Sequence, residues 1–300
     1  MSALFLALLP VPLCRAALLE TNLPSKFLPG PRTIHIYLPP SYDKDPTRRY
    51  PVLYLHDGQN VFTSAGTNIA FGWGNWALDK TADELVRSNQ MREIIMVAVD
   101  SSRDRYEELN GRHHAADSTT NTPFENYTAF LITELKPQID HAYRTLSDAP
   151  NTAIMGSSMG GIGSLILGWE HPETYGRVAS LSGAFQVEHT NFLNGVLKEY
   201  AGPAKPLRIY LDSGVIDFTG GDDNRSLTGQ VYAGLRRLNG TGNLMLFTDA
   251  KPLILGDLER AGLRRDKWAE AQTSQHNEFY WRLRAWRALT FLFPPAATMK

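Results

Sequence analysis

The sequence predicts an α/β fold: a mostly parallel central sheet with helices on both faces. The first observation is a series of short, almost wholly apolar segments, which points to strands buried on both faces, as in parallel sheets covered by helices. The second is that helical stretches alternate with these segments, as crossover connections require. The third is that the polar and glycine-rich residues concentrate just after the apolar segments, where open α/β sheets place their ligands.

The elements follow in chain order. "TIHIYLPPSY" (33–42) alternates apolar and polar residues and stops at a Pro pair, which reads as an edge strand. The continuous strands are "YPVLYLHDG" (50–58), "EIIMVAVDS" (93–101), "TAIMG" (152–156), "RVASLSG" (177–183), "LRIYLDSG" (207–214) and "NLMLFTD" (243–249). Helices are predicted over 126–143, 159–170, 226–238 and 279–293, the last with Phe279, Leu283, Trp286, Leu289 and Phe293 at helical spacing as its core stripe. No repeat or charged linker divides the chain, so one domain is expected over residues 17–300.

Thirty basic and 31 acidic residues leave a net charge of -1, which lacks the basic footprint of a nucleic-acid binder. The expected partner is a small molecule. The single cysteine, Cys14, permits neither an internal disulfide nor a cysteine metal site. No apolar run reaches the roughly 20 residues that span a bilayer. Residues 1–16 read in two ways: a signal peptide with its apolar stretch at Ala3 to Leu13, which places the protein in the periplasm or outside the cell, or an extension of a cytoplasmic protein.

"GSSMG" (156–160) lies between a buried strand and a helix, the setting in which G-x-S-x-G forms a nucleophile elbow. Its central residue is Ser158, with Ser157 pointing elsewhere. The alternative is a turn in which Ser158 only caps the helix. At a helix start, the N–H of Met159 can donate to a developing oxyanion. A serine also needs a base held by a carboxylate, and in α/β-hydrolases the chain order is Ser, acid, His. Of the eight histidines, only His276 follows the final strand. Asp217, in the loop beyond "LDSG", is the expected acid; Asp222 and Asp223 are the alternatives, with helix capping as their other role. Asp212 reads as a structural hydrogen-bonding residue. The second oxyanion N–H is expected from Gly58 or Gln59 in "HDGQN".

Assembled, these residues resemble an esterase family of α/β-hydrolases that includes enterochelin-esterase-like, feruloyl and acetyl-xylan esterases and the mycolyltransferases. "YLPPSYD", "VLYLHDGQNVF", "ELKPQIDHAYRT", "AIMGSSMGG", "HPETYG" and "HNEFYWRLRAWRALTFLF" carry the resemblance, from about residue 32 to 294. It implies Ser158 as nucleophile, His276 as base and, as the last residue of a G-x-x-D/E stretch, Asp217 as acid. Two features depart from the family pattern: the long segment 250–275 before the histidine, and the additional carboxylates of "GGDDN".

The expected activity is hydrolysis of a small-molecule or carbohydrate-linked carboxylic ester through an acyl-enzyme, with no metal or cofactor. The alternatives are acyl transfer on the same fold and a silent binding module. The loops 102–126 and 250–275 are expected to shape the pocket, and Phe71, Trp73 and Trp76 to supply aromatic contacts or plain packing. Oligomeric state is left open.

Overall fold

The computed structural model describes residues 16–187, 192–240, 242–249, 251 and 253–295; the residues of the leader expectation before Ala16 lie outside these. Among the described residues eight strands form one sheet, in the order β1-β2-β4-β3-β5-β6-β7-β8. They are β1 (Ala17–Leu23), β2 (Arg32–Leu38), β3 (Val52–Leu55), β4 (Ile95–Val99), β5 (Thr152–Ser157), β6 (Arg177–Leu181), β7 (Arg208–Ser213) and β8 (Leu244–Thr248). The pairs β1·β2 and β2·β4 are antiparallel, and every pairing from β4 through β8 is parallel. This is the mostly parallel, helix-covered sheet that the apolar runs predicted.

Alternation along each strand divides the core between two faces. Tyr54, Val97, Ile154, Val178 and Ile209 join one cluster with residues of α3 (Pro123–Ala129), α5 (Met159–Glu170) and α6 (Arg225–Asn239). Leu53, Leu55, Met96, Met155 and Tyr210 join the other with α1 (Leu78–Arg87) and α9 (Glu278–Leu292). The short helices are α2 (Arg105–Leu109), α4 (Lys136–Ala142), α7 (Leu255–Arg260) and α8 (Trp268–Thr273). Burial of both side-chain sets explains why these strands carry no polar alternation.

Two sequence expectations need correction. The strand at 32–38 is not an edge, because β1 pairs along its whole length, from Ala17 opposite Leu38 to Leu23 opposite Arg32. β1 has largely exposed central residues, so it gives no strong apolar signal. In α9, Trp286 is exposed, whereas Trp281, Ala285, Ala288 and Leu292 face the sheet. Of the expected stripe, Phe279, Leu289 and Phe293 are buried and Trp286 is not, so the buried face is wider than that stripe, and it contains an arginine.

Arg284 is 1% exposed. Its guanidinium donates to Asp212 Oδ2 at 3.2 Å and Oδ1 at 3.1 Å, to Asp249 Oδ2 at 3.0 Å and to Ser182 Oγ at 2.8 Å. Two carboxylates at the ends of β7 and β8 are thereby tied to α9. A charge in such a place is tolerated only when its donors are satisfied, and removing one partner strands the others. Arg284→Met is expected to lower the free energy of unfolding by roughly 3–5 kcal/mol; urea unfolding followed by circular dichroism checks it.

Candidate active site

The segment from β5 to α5 turns at Ser158, whose φ of 55° and ψ of -120° lie in a region that side chains rarely adopt. Its neighbours leave little choice. Ser158 N–H donates to Leu181 O at 3.0 Å, and Ser158 O accepts from Gly161 N–H and Ala184 N–H, both at 3.0 Å. A Cβ on Gly156 would stand 2.6 Å from the backbone of Gly160, so β5 and α5 can meet this closely only because position 156 is glycine; a Cβ on Gly160 would instead crowd His56 Cβ at 3.2 Å. The turn presents Ser158 to a cleft at the carboxyl ends of the strands, at the start of α5.

His276 enters from the loop before α9. Its Nε2 lies 2.9 Å from Ser158 Oγ and its Nδ1 2.6 Å from Asp223 Oδ1. The ring packs edge-on against Trp281, with centroids 5.1 Å apart. Asp223 is fully buried. Its Oδ2 accepts from Ser182 Oγ at 2.6 Å and from Gly214 N–H at 2.5 Å. Burial by itself would raise the pKa of Asp223, but hydrogen bonds from His276 and Ser182, with the charges of His276 and Arg284, outweigh it and hold this carboxyl below the usual range.

Asp217, the acid expected from the sequence, does not reach His276. Its Oδ1 accepts from Thr219 N–H, Thr219 Oγ1 and Gly221 N–H at 2.8, 2.6 and 3.1 Å, which closes a turn. That turn holds its carboxylate away from the histidine. The loop doubles back through Asp217 N–H to Gly221 O at 2.9 Å and Asp223 N–H to Val215 O at 3.4 Å, returning Asp223 to the end of β7. Asp222 accepts from Arg225 N–H and Ser226 N–H at 2.7 and 3.1 Å, the helix-capping role weighed for it. Asp212 has the structural role expected, as a partner of Arg284.

The loops carrying Asp223 and His276 are joined directly. Gln275 Oε1 accepts from Val215 N–H at 2.5 Å, and Gln275 N–H donates to Ile216 O at 2.7 Å. A Cβ on Gly214 would sit 2.6 Å from Gln275 Cβ and 2.8 Å from Asp223 Oδ2. His56, in "HDG", is a different kind of histidine. It is buried, its Nδ1 lies 3.0 Å from Tyr127 Oη, and burial lowers its pKa to about 4, so it is neutral near pH 7.

The cleft encloses about 480 Å³. Trp73, Trp76, Trp281, Phe71 and Phe218 give it an aromatic wall; Asp57, Gln59, Asn60, Arg105 and Glu278 give it a polar one. Trp73 and Trp76 therefore both pack and line the cleft, as either reading allowed. Of the two candidates for the second oxyanion N–H, Gln59 lines the cleft, whereas Gly58 is pressed against the backbone of Ala98 and Val99. Trp281, Phe218, Arg105 and Glu278 were not anticipated. The described part of 250–275 folds into α7 and α8, whose Leu258 and Ala271 pack with Trp73, and it contributes Glu270 and Ser274 to the wall. Segment 102–126 contributes Arg105.

A parallel sheet with a strand-turn-helix serine and a histidine after the last strand defines an α/β-hydrolase. The Putative esterase family model matches residues 25–278, and the chain belongs to that family. A ferulic acid esterase structure superposes with a TM-score of 0.65 at 20% identity, covering 93% of this chain and 98% of that one. The enterobactin esterase of Shigella flexneri gives 0.66 at 20% identity, over 92% of this chain and 58% of that one. Among curated relatives, an endo-1,4-beta-xylanase/feruloyl esterase of Xylanibacter ruminicola is 30% identical over 164 residues, 51% of this chain and 19% of that protein. An uncharacterised protein of Bacillus subtilis is 21% identical over 164 residues, 53% of this chain and 60% of its own length. The chain thus spans less than two thirds of either curated relative.

The close contact of β5 and α5 gives the site its own structural prediction. Gly156→Ala is expected to destabilise the fold by about 1–3 kcal/mol or more through overpacking, read as a lower thermal midpoint beside wild type.

Proposed function

We propose that the protein is a serine hydrolase of carboxylic esters, with Ser158 as nucleophile, His276 as general base and acid, and Asp223 as the carboxylate that orients the histidine. The observation that carries this reading is the unbroken chain from Ser158 Oγ through the two ring nitrogens of His276 to Asp223, at 2.9 and 2.6 Å. The family membership and the serine's placement at a helix start support it.

In the reaction, His276 Nε2 takes the proton of Ser158 as Oγ attacks the ester carbonyl. Negative charge moves to the carbonyl oxygen, where Met159 N–H and Gln59 N–H stabilise it. Asp223 keeps the proton of Nδ1 in place and stabilises the imidazolium as it forms. The proton on Nε2 passes to the leaving alcohol, and an acyl-serine remains. Water, deprotonated by Nε2, attacks this acyl group; collapse of the second tetrahedral adduct expels Ser158, which recovers its proton from His276.

The aromatic wall and polar wall together fit an acyl or alcohol group with both a flat apolar part and hydrogen-bonding substituents. The feruloyl esterase relative and the enterobactin esterase that shares the fold support starting the assays with small-molecule esters, carbohydrate-linked ones included.

Kinetics on an ester that the wild type turns over test the assignment. Ser158→Ala is expected to reduce kcat/KM at least about a thousand-fold, and Asp223→Asn about a thousand-fold or more, through the wrong histidine tautomer. Asp217→Asn is expected to stay within about two-fold of wild type, because its carboxylate serves only its own turn. A larger loss in Asp217→Asn than in Asp223→Asn would reverse the choice of acid.

A further inference from the structure

Glu278 is the first residue of α9, two positions beyond His276, and it lines the same cleft as Ser158. Its Oε1 accepts from Asn60 Nδ2 at 3.3 Å. The nearby cation is already engaged: Arg105 donates from Nε to Asp57 Oδ1 at 2.5 Å and from a terminal nitrogen to Asp57 Oδ2 at 2.7 Å. Asp57 and Arg105 therefore enter the cleft as a neutralised pair, and among the described residues Glu278 has no ion pair of its own. The other titratable groups on the cleft wall are Glu270, which pairs with Lys267 at 2.9 Å, and His276, which is paired with Asp223.

Resting on the proposed ester hydrolysis at Ser158, we infer that Glu278 is a specificity-determining residue that sets the cleft's selectivity between neutral esters and esters bearing a carboxylate. A carboxyl group on the wall beside an already neutralised pair decides the net charge that an entering substrate meets. Protonated, Glu278 makes this polar wall neutral and offers an O–H donor to a substrate carboxylate. Ionised, it gives the wall a net negative charge in a confined space, where like charges repel more strongly than in bulk water.

The conditions near neutrality make this a working switch. Withdrawal from water is the main cause that pushes the Glu278 carboxyl up to about 7; the backbone N–H at the helix start opposes it, Asp57 adds to it, and Arg105 opposes it. A substrate carboxylate is ionised throughout the range in which Glu278 changes state. Only the wall's charge then varies from the Glu278 side. Effects of His276 on turnover act on both members of a matched ester pair and cancel in their ratio.

Two matched pairs provide the test: 4-nitrophenyl methyl adipate against 4-nitrophenyl hydrogen adipate, with the charge on the acyl side, and methyl 4-acetoxybenzoate against 4-acetoxybenzoate, with the charge on the leaving group. The readout is kcat/KM for the neutral ester divided by that for the anionic one, measured from pH 6 to 8.5. In wild type this ratio is expected to rise about five-fold in at least one pair, whereas Glu278→Gln holds it near its low-pH value. A wild-type ratio flat in both pairs overturns the inference, as does a rise that persists in Glu278→Gln. A flat wild-type profile overturns the inference even if that variant fails to fold, and Glu278→Ala then supplies the comparison for a rise. Ser158→Ala, assayed on the neutral esters, separates the two readings: if it still hydrolyses them, the assignment of the site fails, and the inference about Glu278 with it.

Discussion

The site depends on a hydroxyl that has one proton and three polar neighbours. Ser182 Oγ receives N–H groups from Arg284 at 2.8 Å and from Trp281 at 3.2 Å, and neither donor can accept. The hydroxyl proton is therefore directed to Asp223 Oδ2 at 2.6 Å. Asp223 uses its other oxygen for His276. The buried arginine that ties β7 and β8 to α9 thus also fixes the carboxylate under the histidine. Positioning of the His276 ring and the stability of the sheet edge follow from one network, so neither can be altered alone.

A second constraint acts on the serine. Holding Ser158 at positive φ costs on the order of 1–3 kcal/mol, and the surrounding contacts outweigh it: the hydrogen bonds to Leu181, Gly161 and Ala184, and glycines where a Cβ would collide with backbone or with Ser180 Oγ. The strain keeps Oγ outside the helix, on the cleft side of the turn, within hydrogen-bond reach of His276. The glycine-rich composition of 156–161 in an otherwise apolar stretch has this physical origin.

Much of this was legible in the sequence, and the failures have specific causes. The apolar runs led to the right sheet because burial on both faces removes polar alternation, and the strand-turn-helix context led to Ser158. Chain order and position after the last strand led to His276. Between Asp217 and its alternative Asp223 the sequence favours the former, since spacing along a loop does not reveal that Asp217 and Gly221 close a turn and bring residue 223 back to β7. Trp281 and Arg105 come to the cleft from α9 and α2, and pattern along one element cannot report such convergence. A signal for the network was nevertheless present: an arginine within the apolar run "FYWRLRAWRALTFLF" demands carboxylates, and Asp212 and Asp249 stand at the ends of two apolar strands.

The central claim, that Ser158 is a nucleophile activated by His276, is tested most directly by brief reaction with a fluorophosphonate, followed by mass spectrometry of the intact protein and its peptides. The account predicts one adduct per chain, located on Ser158, and its loss or marked slowing in His276→Ala. Folded protein that takes up no label, or that carries it on Ser157 or Ser182 instead, would contradict the claim.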